Sequence, residues 1–373
     1  WRLLQLGAYQ VLFSRAPDHA AVDTTVELAR TAGYSRWCGF ANGVLRNIAR
    51  LLTGETTHEP AADALPYQAG EFRKLTTEVF SDPLTDMTEY VGAAFSLPRA
   101  IARRWAGRLS AFDLIKACFH SMSVPQTILR VNRLVTTVDQ VQTALQEHGV
   151  EVTPGLNDWS LKISHASRLS NLPGYEEGWW TVQDESAMQV SELLWPKPGE
   201  RILDLCAAPG GKSTHLAELS GDQATIIACD VSEQRLERVF ESVNRLNLKS
   251  VQPTLIQRDG SDIPPGPYDA VLVDVPCSNT GVLCRRPEAR WRFLDSDMEE
   301  LLQLQARLLL TAFELLRPGG RMVYSTCSIE PEETTQLVES ITELVPGLKL
   351  LKQQLQLPAQ PSDGAFRALL VRQ

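Results

Sequence analysis

From about residue 200 onward, the chain alternates between short apolar runs and segments with the spacing of amphipathic helices. The apolar runs are nearly continuous, which is typical of parallel strands buried on both faces. This alternation predicts an α/β fold with a doubly wound parallel sheet covered by helices on both sides. The predicted strands are 201–206, 225–229, 254–258, 270–275, 321–326, 347–351 and 366–371, and the predicted helices are 213–219, 232–246, 297–316 and 331–344.

The part before residue 200 has a different organisation. Helical spacing predominates in residues 1–55, whereas residues 53–70 have the Thr, Glu, Ala, Pro and Gly content of a loop or linker. Helices and extended runs then alternate, which indicates a small α+β module; the helices are expected at 97–107, 111–118 and 136–148, and the extended runs at 125–132 and 150–153. We expect three domains: an all-helical one at 1–92, the α+β module at 93–170 and the sheet domain at 171–373.

Composition excludes several classes of protein. No apolar run is long enough to cross a membrane, and the first residues lack the layout of a signal peptide, so we expect a cytoplasmic protein. The seven cysteines are odd in number and include no Cys-x-x-Cys pair, so neither a disulfide framework nor a metal site is expected. The chain begins at Trp1 rather than Met, and we expect it to be part of a longer protein.

The charge is unevenly distributed. The net charge of −9 argues weakly against nucleic acid as a partner. Residues 96–170, however, hold nine basic against five acidic residues. A local basic face can bind phosphate whatever the total charge is, so RNA remains a candidate partner.

A small-residue turn, Cys206-Ala-Ala-Pro-Gly-Gly-Lys212, joins the first predicted strand of the sheet to a helix. Such a turn lets the backbone approach a ligand closely at a helix N-terminus. The sequence Gly-Lys-Ser-Thr is similar to the end of a P-loop, but Cys206 stands where a P-loop needs glycine. An NTPase is therefore disfavoured, and taken alone the turn is equally compatible with a packing role.

Four aspartates, Asp204, Asp230, Asp259 and Asp274, lie at or near the carboxyl ends of successive predicted strands. Ligands of doubly wound sheets bind along that edge. Asp230 is placed to accept ribose hydroxyls and Asp259 to accept from an adenine amino group, although either residue alone also fits a helix cap or a turn. An acidic rim suits a nucleoside that carries a cationic sulfonium, namely S-adenosylmethionine.

Two cysteines, Cys277 and Cys327, follow later strands of the same sheet. C5 of cytosine is a poor nucleophile, but a thiolate added at C6 makes C5 electron-rich enough to accept a methyl group. A carboxyl group near N3 would stabilise the charge on the ring, and a second thiol could act as a base or assist release. Asp274, Cys277 and Cys327 could supply these roles, and the residues alone do not decide which thiol attacks. We expect the other five cysteines to be structural.

The segment after Cys277 is rich in arginine. Arg285, Arg286, Arg290 and Trp291 suggest phosphate contacts and a stacked base. A solvated basic loop anchored by its tryptophan is the competing interpretation, and for Trp291 it is nearly as good.

Several short motifs carry a family resemblance: Leu203–Lys212, Asp274-Val-Pro-Cys-Ser278, Arg317-Pro-Gly-Gly320, Ser325-Thr-Cys-Ser328 with Glu332-Glu333, Val182-Gln-Asp184 and Asp363–Arg367. They closely resemble the RNA cytosine-C5 methyltransferases of the RsmB (Sun/Fmu) and Nop2/Sun group. Leu6–Tyr9, Pro17–Ala20 and Phe40–Arg46 resemble the later half of a NusB-like domain, and Leu129-Arg-Val-Asn132 resembles the family's RNA-binding module. The resemblance implies a Rossmann-like class I S-adenosylmethionine-dependent methyltransferase preceded by a NusB-like segment, with Arg130 and Asn132 as RNA contacts.

The resemblance also implies roles at the site. Cys327 would be the nucleophile and Cys277 would aid product release. The cofactor-binding positions carried over are Cys206, Ala207, Ala208, Pro209, Gly210, Gly211, Lys212, Asp230, Arg235, Asp259 and Asp274. Two departures from the family pattern are Val275, where alanine is usual, and Asn279, where glycine is usual; asparagine tolerates the left-handed backbone region.

We therefore expect an S-adenosylmethionine-dependent RNA cytosine-C5 methyltransferase that acts as a monomer, without a metal, on 16S ribosomal RNA. The same chemistry on transfer RNA is one alternative. A non-enzymatic RNA-binding or ribosome-assembly factor is the other, and intact Cys277, Cys327 and Asp274 count against it.

Overall fold

The computed structural model describes residues 1–68, 70–164, 168–359 and 362–373. The chain forms two compact units, residues 1–123 and 124–373. Within the described ranges, no helix is both long and apolar enough to cross a membrane.

The first unit begins with three helices packed on one another and continues with a small sheet and three more helices. Its elements are α1 (Arg2–Phe13), α2 (Asp18–Thr31), α3 (Cys38–Arg50), β1 (Leu52–Thr57), β2 (Ala64–Gln68), β3 (Glu71–Leu75), α4 (Met87–Ala94), α5 (Arg99–Ala106) and α6 (Ala111–Met122). The core of the first three helices contains Val11, Val22 and Leu45. These helices correspond to the predicted NusB-like segment.

The prediction that residues 1–92 are all helical, with a linker at 53–70, is wrong. Strands β1, β3 and β2 form an antiparallel sheet in that order. The Thr, Pro and Gly content that indicated a linker belongs to these short strands and their turns, and one residue of the segment, Ala69, lies outside the described residues. Phe72 of β3 is fully buried and packs edge-on against Phe95 and Phe119, so tertiary contacts stabilise a sheet that local composition does not favour.

The second unit starts with a four-stranded antiparallel sheet in the order β5-β6-β4-β7. Its elements are β4 (Thr127–Val131), α7 (Val138–Glu147), β5 (Val152–Pro154), β6 (Ser160–Ile163) and β7 (Trp180–Val182). The predicted boundary at 170/171 runs through this sheet, because β7 pairs with β4. The boundary at 92/93 likewise falls inside the first compact unit. The division into three functional domains stays a prediction.

The large sheet has seven strands in the order β10-β9-β8-β11-β12-β14-β13. Its elements are α8 (Glu185–Leu194), β8 (Arg201–Asp204), α9 (Gly211–Leu219), β9 (Thr225–Asp230), α10 (Glu233–Arg245), β10 (Val251–Leu255), β11 (Tyr268–Asp274), α11 (Ala289–Arg292), α12 (Asp295–Leu315), β12 (Leu316–Thr326), α13 (Thr335–Leu344), β13 (Leu348–Gln356) and β14 (Ala365–Arg372). Strands β10, β9, β8, β11 and β12 pair in parallel, whereas β14 is antiparallel to both of its neighbours. The predicted α/β fold is confirmed.

Successive strand residues of this sheet face opposite layers. Ile202 and Leu272 pack with the helices α8, α9 and α10, whereas Leu203 and Val271 pack with α12 and α13. Burial on both faces explains why the strands are apolar without interruption. The parallel strands end at one edge, where Asp204, Asp230 and Asp274 are the last residues of β8, β9 and β11.

Candidate active site

The turn after β8 is held by backbone geometry that only glycine adopts easily. Gly210 has a φ of +100°, and a Cβ there would meet Val239 of α10 at 3.1 Å. The turn therefore lies close to α10, and α9 begins at the next residue, Gly211. The close approach of this turn to a ligand stays a prediction.

A cavity of about 170 Å³ opens beside the turn. It is lined by Asp204, Asp274, Gln183, Lys212 and the residues from Cys206 to Pro209, among others. These include most of the predicted cofactor positions.

Two carboxyl groups, those of Asp274 and Asp204, line this cavity, and their surroundings differ. Lys212 Nζ donates to Asp274 Oδ2 at 2.6 Å, and Ser325 Oγ donates to Asp274 Oδ1 at 2.7 Å. Burial opposes the charge on Lys212, but the Asp274 carboxylate raises the pKa of the ammonium above its ordinary value. Asp204 is fully buried, and burial raises the pKa of its carboxyl to about 7.

One oxygen of Asp204 is available to a ligand. Ser213 Oγ donates to Asp204 Oδ2 at 2.6 Å, whereas Oδ1 has no hydrogen-bond partner among the described residues. A buried polar atom without a partner is costly, and such an atom beside a cavity indicates a bound group that supplies the missing contact.

Asp230 and Arg235 support the turn and do not line the cavity. Asp230 accepts from the backbone N–H of Ala208 at 3.2 Å and from that of Ser232 at 3.0 Å. Arg235 donates to Ala208 O at 2.6 Å and pairs with Asp230 at 3.4 Å. Together they fix the backbone of Ala208 against the end of β9.

Asp259 lies away from the cavity. The third strand of the large sheet, β10, ends at Leu255, not at the predicted residue 258, so Asp259 falls in a turn beyond it. Its exposed carboxylate accepts from Ser261 N at 3.0 Å and Ser261 Oγ at 2.9 Å. The predicted contact of Asp259 with adenine is not supported, and the residue has the turn role that its local sequence also allowed.

The two cysteines predicted to act together lie side by side. Their Sγ atoms are 3.2 Å apart, although fifty positions separate them in the chain. Cys327 directly follows β12, and Cys277 follows β11 by three residues. Because these strands are parallel neighbours, their ends bring both thiols to the edge that also carries Asp274.

The two thiols have pKa values that are shifted in opposite directions. The hydrogen bond between the two sulfurs lowers the pKa of Cys277, despite the opposing effect of burial. The same hydrogen bond, together with burial, raises the pKa of Cys327 well above its ordinary value. Of the two thiols, Cys277 is therefore the one that loses its proton more readily.

Sequence reasoning missed the residues that hold the Cys277 segment in place. Gln305 of α12 and Glu333 are both fully buried. Gln305 Nε2 donates at 2.9 Å to Pro276 O and to Glu333 Oε1, and Glu333 Oε1 also accepts from Ser278 N at 2.9 Å. A glutamine in an otherwise apolar helical stripe was the available signal, since buried polar groups need partners.

The predicted RNA contacts of Arg130 and Asn132 are wrong. The Arg130 side chain is fully buried and donates to Glu218 at 2.7 and 2.9 Å, to Gly211 O at 2.7 Å and to Gln183. Asn132 is also fully buried, and its amide donates to Gly178 O at 3.1 Å. Both residues connect β4 to the catalytic sheet domain and do not face RNA.

In the arginine-rich segment after Cys277, some side chains are buried or ion-paired and others are exposed to solvent. Arg285 pairs with Asp184 at 2.9 Å and with Asp363, and Arg290 is buried, so neither offers a free cation to RNA. Arg286 is exposed, and Trp291 is 67% exposed. RNA contact by these two residues remains a prediction.

Two family models match the chain. The RsmB/F 16S rRNA methyltransferase model matches residues 191–367, and the NusB family model matches residues 2–50. The ribosomal RNA small subunit methyltransferase B of Klebsiella pneumoniae (strain 342) is 35% identical over 385 residues, which cover 99% of this chain and 81% of that protein. This chain belongs to the RsmB/F family of 16S rRNA methyltransferases.

Solved structures share the fold of this chain. The crystal structure of PH0851 has a TM-score of 0.76 and 28% identity, covering 99% of this chain and 81% of that chain. A methyltransferase homolog from Pyrococcus horikoshii, at 24% identity and a TM-score of 0.68, covers 77% of this chain and 99% of that chain and shows the same fold. The predicted methyltransferase class and the NusB-like segment are confirmed.

Proposed function

We propose that this RsmB/F family member transfers a methyl group from S-adenosylmethionine to C5 of a cytosine in RNA, with Cys327 as the nucleophile. The observation that carries the proposal is the thiol pair, 3.2 Å apart, on the strand edge that also carries the cavity with Asp274. C5 methylation requires a thiol that attacks C6, and a second thiol within proton-transfer distance can act as a base or assist release.

The cavity fits the cofactor. The small residues of the turn would hold S-adenosylmethionine, with Asp204 Oδ1 and the carboxylate of Asp274 providing acceptors and negative charge. When bound, S-adenosylmethionine supplies an electrophilic methyl group on a sulfonium cation. Asp230 and Arg235 act indirectly, because they fix the backbone of Ala208.

The chain's own residues provide the covalent chemistry. Cys327 passes its proton to the Cys277 thiolate, and its Sγ then forms a bond to C6 of the cytosine. The thiolate adds its electron pair to the ring, and the negative charge that develops is neutralised by a proton that Asp274 passes to N3 from the Lys212 ammonium, 2.6 Å from its carboxylate. After methylation, water takes the C5 proton, the electron pair of that C–H bond restores the C5–C6 double bond, and Cys327 leaves C6 as a thiolate that takes back its proton from the Cys277 thiol.

Small-subunit ribosomal RNA is the proposed substrate, since the relatives at about a third identity are named for it. A ribosomal substrate places the proposed action in the cytoplasm. The target base must leave its stack to reach a half-buried thiol, and the exposed Arg286 and Trp291 are the proposed contacts for the surrounding RNA.

The proposal is tested by incubating the protein with labelled S-adenosylmethionine and small-subunit ribosomal RNA from cells that lack the enzyme. We expect label at cytosine C5, no activity and no covalent complex for Cys327→Ala, and a trapped RNA adduct for Cys277→Ala. The reverse pattern would exchange the two roles. Label in transfer RNA alone would change the substrate, and full complementation of the deletion strain by Cys327→Ala would favour an assembly factor.

A further inference from the structure

Asn279 contacts both cysteine segments. It has a left-handed backbone conformation, with φ +61° and ψ +23°, which asparagine adopts more readily than most residues with a side chain. This conformation directs its amide toward the thiol pair. Nδ2 donates to Cys277 O at 2.7 Å, and Oδ1 lies 3.3 Å from Cys327 Sγ.

The orientation of this amide follows from its partners. A backbone carbonyl can only accept, so the NH₂ group must face Cys277 O, which leaves the amide oxygen facing Cys327. An amide oxygen accepts a hydrogen bond from a thiol but repels a thiolate. The side chain therefore favours the protonated form of Cys327.

The other groups around the pair have opposing effects. The Lys212 ammonium favours a thiolate at Cys327, whereas the carboxylate of Asp274 opposes it. On the other side, Glu333 opposes a thiolate at Cys277, whereas the Thr326 hydroxyl and the backbone N–H of Asn279 favour it. Tyr324 is a neutral neighbour, because burial raises its pKa well above the ordinary value. With charges acting in both directions, one oriented amide can decide which sulfur holds the proton.

We propose that Asn279 is a positioning residue that holds Cys327 as the protonated thiol until substrate binds, by accepting its S–H at the amide oxygen. The inference rests on the proposed function for the meaning of the two thiols. It implies that the nucleophile is held as an unreactive thiol in the free protein. In the intact protein the nearest acceptor for the Cys327 proton is Cys277 Sγ, 3.2 Å away.

Alkylation of the free protein tests this directly. The intact protein, without RNA or S-adenosylmethionine, is treated with limiting iodoacetamide from pH 6 to 10, and mass spectrometry gives the separate rates of Cys277 and Cys327. In the unmodified protein we expect Cys277 to react first. In Asn279→Gly, which keeps the left-handed backbone without strain, the Cys277:Cys327 rate ratio should fall about 2- to 10-fold near neutral pH, the factor expected for one hydrogen bond.

The pH dependence separates a proton effect from simple access. Loss of the amide oxygen should move the midpoint of Cys327 alkylation to lower pH, whereas Asn279→Asp, which places a carboxylate there, should move it to higher pH. Val275→Ala, the neighbouring return to the family pattern, serves as the matched control and should leave the midpoint unchanged. An Asn279→Gly rate raised equally at every pH, or an unchanged ratio, would overturn the inference; neither result depends on methyl transfer.

Discussion

Strand β4 and the segment 285–292 both carry arginines in the second unit, but their surroundings differ. Arg130 of β4 is enclosed by Glu218, Gln183, Thr214 and the carbonyl of Gly211. Arg286 and Arg292 are exposed. A buried guanidinium is tolerated only with a full set of acceptors, so the first arginine acts in folding and positioning, and the other two remain available for phosphate.

This difference also affects the cofactor turn. Arg130 reaches Gly211, the first residue of α9, and Gln183, which lines the cavity. The small antiparallel sheet thus helps to fix the wall of the active site. The module that the sequence suggested for RNA binding thus contributes, through Arg130 of β4, to the wall of the cavity.

The largest expected effect is the loss of Arg130. Arg130→Met should destabilise the protein by about 3–5 kcal/mol, because Glu218 is left buried without its partner. The free energy of unfolding from urea denaturation measures this, with Arg286→Met as the matched exposed control, for which we expect little change. Equal stability of the two variants, with weaker RNA binding by Arg130→Met, would show that β4 does face RNA.

The next largest effect is expected in the pH profile of the unfolding free energy, where a buried and an exposed aspartate should differ. The pKa of Asp204, about 7 in the folded protein, lies above its ordinary value of 3.8. The folded state therefore holds this proton more tightly, and the contribution is fully present below about pH 4 and is lost as the pH rises to 7. In Asp204→Asn this loss should be absent from the pH profile of the unfolding free energy, whereas the exposed Asp259→Asn should retain it.

A smaller effect is expected at the exposed tryptophan. Trp291→Ala should weaken RNA binding by about 1–3 kcal/mol if a base stacks on the indole, without a loss of stability. Binding of a small-subunit ribosomal RNA fragment, measured at one fixed salt concentration, provides the readout. Unchanged affinity would identify Trp291 as a surface residue with no role in RNA binding.

The smallest effect concerns a single phosphate contact. Arg286→Ala should weaken RNA binding uniformly across sequences and reduce the salt dependence of the binding constant by about one counterion. Arg285→Ala is the informative partner, because its cation is committed to Asp184 and Asp363. Arg285→Ala should lower the free energy of unfolding without that change in salt dependence. If Arg285→Ala reduced the salt dependence and Arg286→Ala did not, Arg285 and not Arg286 would be the phosphate contact.

The sequence by itself determined the alternation of strands and helices in the sheet domain and the residue types at the edge of its sheet. Continuous apolar strands, Asp204 and Asp274 at their ends, and two cysteines after β11 and β12 were all evident from local patterns, because strand periodicity and strand ends are local properties. The resemblance to a family supplied the different roles of Cys277 and Cys327, which remain proposals.

Only the tertiary structure decided which polar side chains face solvent. Arg130 and Arg286 are the same residue type in basic stretches, and Gln305 is one of several glutamines, but burial depends on segments distant in the chain. It also placed the Asn279 amide against the Cys277 carbonyl and Cys327 Sγ, because its left-handed backbone and the parallel pairing of β11 with β12 act together. Electrostatics at the site follow from such nonlocal contacts, since a pKa depends on what surrounds the group.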